Sequence, residues 1–140
     1  MTITMERAVA MFHYAKEISY QEVKLNQLSL IYARLYNYAK EWENLDAEIR
    51  KDVEEARKPI VEKFMKLSED EKKEKEPEFN QKIMEAINNL TSVKAQPEFL
   101  KKEIEVDLPT FTEDEWCTLS HAKVFKNIAE AGIFYDLVAK

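Results

Sequence analysis

Between Tyr20 and Lys58 the chain contains neither glycine nor proline, and its apolar residues Leu28, Ile31, Leu35, Tyr38, Trp42, Leu45 and Ile49 alternate at spacings of three and four. That spacing places them on one helical face within an arc of about 80°. An unbroken helix from residue 22 to residue 58 would span about 55 Å, whereas a compact chain of this length is roughly 37 Å across. The stretch is therefore either interrupted near "WENLDAEIRK" or forms part of an elongated helical hairpin.

Turn chemistry restricts the alternatives. With one glycine, Gly132, and four prolines in 140 residues, the chain lacks the positive-φ positions that an all-β fold would need at its many tight turns. A 45% apolar and 34% charged composition is that of a globular helical protein with a charged surface. The expected fold is mainly all-α, a helical bundle built around a long antiparallel helical hairpin, with a minor short β element near residues 93–108. We expect a single domain over 1–140, with the hairpin at about 20–91 and a C-terminal helical segment at about 112–140.

Start and stop signals set the expected helices. Thr4 or Thr2 can cap a first helix from Met5 to Ile18, whose Ala8, Met11, Phe12, Ala15 and Ile18 share a face. Ser19 followed by Glu22 has capping-box spacing and predicts a second helix from Tyr20. Pro59 either kinks that helix or opens a new one. The run "SEDEKKEKEPE" (68–78) has no apolar residue and reads as an exposed connection, with Ser68 and Glu71 able to start a frayed helix and Pro77 suited to be the first residue of a third. Phe79, Ile83, Ala86 or Ile87, and Leu90 then lie on one side.

Beyond Leu90, the alternation of Ile104, Val106 and Leu108 between Pro97 and Pro109 reads as a short extended segment, which could pair near Val93. Thr112 with Glu115 predicts another capping box and a helix carrying Trp116, Leu119, Val124, Phe125 and Ile128, with Gly132 as its stop. The tail "IFYDLVAK" is too apolar to be left undocked. Expected core residues are Phe12, Leu28, Ile31, Leu35, Trp42, Ile83, Ile87, Trp116, Phe125 and Ile128.

Several kinds of chemistry are disfavoured. A net charge of −6, from 27 acidic and 21 basic residues, argues against direct nucleic-acid binding, and one glycine cannot build a phosphate-cradling loop. Only Cys117 is available, so no internal disulfide forms. The charged N-terminal stretch "MTITMERAVAMFHYAKEISY" is neither a signal peptide nor a membrane span. Glu113, Cys117 and His121 stack along one helical face and are all possible metal ligands, but they diverge along it and a structural zinc site needs a fourth ligand. A Cys117–His121 nucleophile lacks an orienting third group. We expect no cofactor, no metal, no small-molecule substrate, no membrane contact and no enzymatic activity.

Aromatic residues remain. Tyr and Trp are common anchors of protein contacts, and Tyr32, Tyr36, Phe134 and Tyr135 are the candidate partner interface, facing a protein partner or a second copy. The order "EEARKPIVEKFMKL", charged break, "EFNQKIMEAINNL", "IEVDLP" and "FTEDEW" resembles a family of small tailed-bacteriophage proteins of unassigned function, over residues 25–116. The resemblance implies a phage-encoded accessory or virion-associated protein that acts by binding, in the host cytoplasm or the virion. It carries no catalytic residues. One alternative is an inhibitor that covers a host defence or nucleic-acid-processing enzyme with acidic helices. Another is a small enzyme using Cys117 and His121.

Overall fold

The Thr4 hydroxyl accepts the Arg7 N–H at 3.3 Å, and the first helix, α1 (Met5–Glu17), starts from that cap. This is the arrangement in the computed structural model, which describes residues 1–19 and 21–139. Just before the cap, strand β1 (Thr2–Thr4) pairs antiparallel with β2 (Glu103–Glu105), setting Ile3 opposite Ile104. The remaining helices are α2 (Asn26–Met65), α3 (Glu69–Asn88), α4 (Thr91–Lys101), α5 (Glu113–Ser120) and α6 (Ile128–Ala131), followed by a 3-10 turn over Gly132–Leu137. The fold is mainly helical, and α2 and α3 form the long hairpin.

Where one domain was expected, the internal contacts divide the chain into two compact units. The first joins Met1–Trp42 to Leu100–Lys140, and the second is Glu43–Phe99. In the first unit Met5, Ala8, Met11 and Phe12 of α1 are buried with Ile31, Leu35 and Ala39 of α2. Phe111, Leu119, Phe134 and Leu137 are also fully enclosed there. The apolar tail docks as its composition required: Phe111 donates its N–H to the Leu137 carbonyl at 2.8 Å, and Ala139 donates to the Phe111 carbonyl at 2.7 Å.

Helix α2 does not begin at Ser19. Tyr20 lies outside the described residues, and the Ser19 hydroxyl accepts the Gln21 N–H in a local turn. The Glu22 carboxylate accepts the Lys123 N–H at 2.6 Å instead of reaching back to Ser19, so the predicted capping box does not form. Val23, 2% exposed, is drawn into the core, and its burial outweighs the local cap signal. The helix starts at Asn26, where the Gln27 amide donates to Glu115 at 2.8 Å and to the Thr110 carbonyl at 3.3 Å.

In the second unit α2 continues through Pro59 as far as Met65. Ser68 caps α3 by accepting the Glu71 N–H at 3.3 Å, as its spacing indicated, but the charged run is ordered helix and Pro77 lies inside it. Three acidic residues, Glu69, Asp70 and Glu71, occupy the first turn of α3, where they complement the exposed amides of the helix N-terminus. Val93 is in helix α4, so the extended segment after it pairs with β1 and not with its own upstream neighbour. Nearby, Ser92 donates its hydroxyl to the Asp52 carboxylate at 2.8 Å and fastens α4 to α2.

Downstream the Thr112–Glu115 capping box forms in both directions, with bonds of 3.1 and 3.0 Å. Helix α5 then stops at Ser120 instead of running on to Ile128. Gly132 has φ −56°, an ordinary right-handed value, so no left-handed stop is made there. Ile128, expected in the core, is 65% exposed, because the early end of α5 takes it off the predicted face.

Candidate interaction site

The four aromatic residues picked out for an interface do not form one patch. Phe134 is fully buried, with its ring edge-on to Phe111 and to Phe125 at 6.3 Å, so it is a core residue and is withdrawn from the interface. Tyr32 is half-buried, stacked on Phe12 with centroids 4.8 Å apart. Tyr36, 39% exposed, meets Phe12 edge-on at 6.2 Å and carries the Lys40 ammonium 5.4 Å from its ring centroid. Tyr135 is 60% exposed and belongs to another contact, edge-on to Trp116 at 5.4 Å. The Trp116 indole N–H is buried without a hydrogen-bond partner among the described residues.

The Cys117, His121 and Glu113 constellation does not converge. All three are exposed, and His121 directs Nδ1 to the Cys117 backbone carbonyl at 2.7 Å, leaving the thiol out of the contact. His121 caps the C-terminal end of α5. No cluster of three metal-ligating side chains occurs among the described residues. Helices long and apolar enough to cross a membrane are also absent among them.

The shifted titrations also belong to structural contacts. Glu115 is held below the usual carboxylate range chiefly by the Thr112 backbone N–H, with Gln27 adding a second bond. The N-terminal amine and the Thr2 hydroxyl lower Glu105 in the same way. Tyr14 is raised by desolvation and by its hydrogen-bonded neighbour Glu130. Each of these groups sits at a cap, a strand end or a helix junction.

A different surface is conspicuous in the second unit. Across Glu43–Phe99 no apolar residue is buried; only Ser92 is, at 7% exposure. Val53, Ile60, Phe64, Phe79, Ile83, Ile87 and Leu90 are all half-buried, because two helices cover only the inward part of each other's stripe. Phe64 and Phe79 stack with centroids 4.1 Å apart, and the hairpin is open on both sides of that pair. One side is a groove of about 430 Å³ with a floor of Pro59, Ile60, Phe64, Leu67 and Phe79. Lys63, Lys75, Glu78 and Lys82 rim it. The other side, of about 260 Å³, is bordered by Glu69, Lys72, Lys73 and Glu76.

Sequence reading located this hairpin but not its openness. The spacing of the apolar residues gives the direction of the stripe and carries no measure of how much of it one neighbour covers. No protein-family model matches the chain, and no curated protein or solved structure matches it.

Proposed function

We propose that the protein acts by binding other protein chains through the helical hairpin of Glu43–Phe99, and that it is not an enzyme. One observation carries the reading: the hairpin is capped at Ser68 and tied to α4 by Ser92, yet none of its apolar side chains is fully buried. Packed helices normally continue to bury such stripes until they are dry, and a helix laid against the seam completes that burial. The sequence likeness to small tailed-phage proteins suggests the setting, an accessory or virion-associated assembly protein.

Two competing readings have less support. An acidic-face inhibitor requires a contiguous negative surface, but Glu69, Lys72, Lys73 and Glu76 mix both signs along one side of the hairpin and three lysines with one glutamate rim the other. A thiol enzyme requires Cys117 and His121 to converge on a substrate, and the imidazole bonds to a backbone carbonyl.

The test is light scattering between about 1 and 200 µM, with a pull-down from the native host using wild type and Ile60→Ser. Self-association or capture that the substitution removes supports the proposal. A monomer at every concentration, together with capture identical for both proteins, refutes it.

A further inference from the structure

The two open sides of the hairpin differ in charge. On one, Glu69 and Glu76 balance Lys72 and Lys73, and Lys72 pairs with Glu69 at 3.6 Å. On the other, Lys82 is neutralised by Glu78 at 3.2 Å, while Lys63 and Lys75 have no ion-pair partner among the described residues. In a protein of net charge −6 this leaves two uncompensated ammonium groups beside an apolar floor of Ile60, Phe64, Leu67 and Phe79.

Size and charge together define the occupant. From Lys75 to Lys82 the groove extends about 10 Å along α3, which is two helical turns. It therefore accepts apolar side chains at i, i+4 and i+7 of an opposing helix. Lys63 and Lys75, both exposed, favour carboxylates flanking that stripe. A second copy is a poorer occupant, since a two-fold contact centred on this face brings the lysine rims of the two copies together.

Resting on the binding role proposed above, we infer that the lysine-rimmed side of the hairpin receives an acidic amphipathic helix from a different protein. The occupant supplies the missing third wall of the seam, and the two lysines select for flanking Glu or Asp.

The probe is a fluorescent Ala-rich helical peptide of about 20 residues, beyond the length at which isolated helices are marginal, with Leu at i, i+4 and i+7 flanked by Glu. Its control has Lys in place of Glu. Anisotropy with the full chain at about 50 mM salt should show the Glu peptide binding at least about tenfold more tightly, with the difference shrinking as salt rises. The double variant Lys63→Glu, Lys75→Glu alters only exposed side chains and should reverse the preference.

Equal binding of the two peptides, or an unchanged preference in the double variant, overturns the inference. If that equal binding is abolished by Ile60→Ser, the hairpin still stands as an interaction surface while its acidic occupant does not. A dimer in light scattering that Ile60→Ser abolishes identifies a second copy as occupant and also overturns it. Absence of peptide binding overturns this inference; the binding role beneath it falls as well only when the protein is monomeric throughout and the pull-down captures nothing that Ile60→Ser removes.

Discussion

Truncating one side chain in each unit gives the sharpest stability test. Leu35 is 0% exposed in the first unit, so Leu35→Ala removes buried carbons and leaves a closed cavity. Such changes cost about 3 to 4 kcal/mol. Ile83 in the hairpin is half-buried. The three carbons lost in Ile83→Ala would contribute about 2.4 kcal/mol if fully enclosed and about half that here, and the open site leaves no closed cavity. With about 3 °C of melting temperature per kcal/mol for a chain of this size, the expected decreases are about 10 °C and about 4 °C. Two probes of urea unfolding weight the units differently, because Trp42 and Trp116 both belong to the first. Fluorescence follows that unit, whereas far-UV circular dichroism follows both. Leu35→Ala should move both signals, and Ile83→Ala should move the helical signal with little change in fluorescence. A loss of 3 kcal/mol or more for Ile83→Ala at low micromolar concentration would show that the seam is already closed in solution, and the argument from openness would fail.

Other substitutions test separate contacts. Ser92→Ala removes the hydroxyl donated to Asp52 and should cost about 1 to 2 kcal/mol, the usual range for a charge-assisted bond whose acceptor keeps some access to water; an unchanged urea midpoint would dismiss the bond as a fastener. Pro77→Ala should raise the stability by about 1 to 3 kcal/mol, seen as a higher urea midpoint, since proline inside α3 removes a hydrogen bond to the Lys73 carbonyl; a lower midpoint would mean that the proline fits a bend the hairpin needs. Glu115 has a depressed folded-state pKa, so its contribution is present above its unfolded value of about 4.3 and is lost as pH falls through the lower folded value. Glu115→Gln should flatten that part of the acid dependence of urea stability, and an unaltered profile would exclude the cap as its source. The exposed Cys117 thiol should react with a maleimide in the native protein as quickly as in urea; strong native protection would contradict its placement.

What sequence alone disclosed was whatever depended on local chemistry. The Thr112–Glu115 box and the caps at Thr4 and Ser68 all form, because each needs only a hydroxyl, a nearby amide and a helix able to follow. Leu28, Ile31 and Leu35 are buried because their spacing of three and four puts them on one apolar face of α2. The Ser19–Glu22 signal has the same local form and fails, since Val23 is required in the core and Glu22 is taken by the distant Lys123 amide. Pairing of β2 with β1 was equally out of reach, because the register links residues about a hundred positions apart and no short-range pattern encodes it. Of the candidate interface, Phe134 was misjudged because its neighbour Tyr135 is exposed along the same 3-10 turn, and composition cannot say which of two adjacent rings faces inward. The hairpin groove was missed for a related reason: periodicity reports the direction of a stripe, not how completely a neighbour covers it.

The three prolines inside helices bear on why the hairpin is open at all. Pro59, Pro77 and Pro97 lie in α2, α3 and α4, and every one belongs to the second unit. Each lacks the N–H that would bond the carbonyl four residues earlier, at Glu55, Lys73 and Val93, and each crowds that carbonyl. All three rings are exposed, so the freed carbonyls can be hydrated, which softens the loss without removing it. Half-covered apolar stripes add less stabilisation than the enclosed core of the first unit, and helix propensity is lowest where that stabilisation is smallest. Both effects lower the free energy of local opening in Glu43–Phe99. A segment with that balance gains most from any chain that binds its closed form, because bound-state stabilisation adds directly to a small intrinsic value. Weak helices and an unfinished seam are thus two aspects of one physical situation, and under the binding role proposed above the partner is what completes the hairpin.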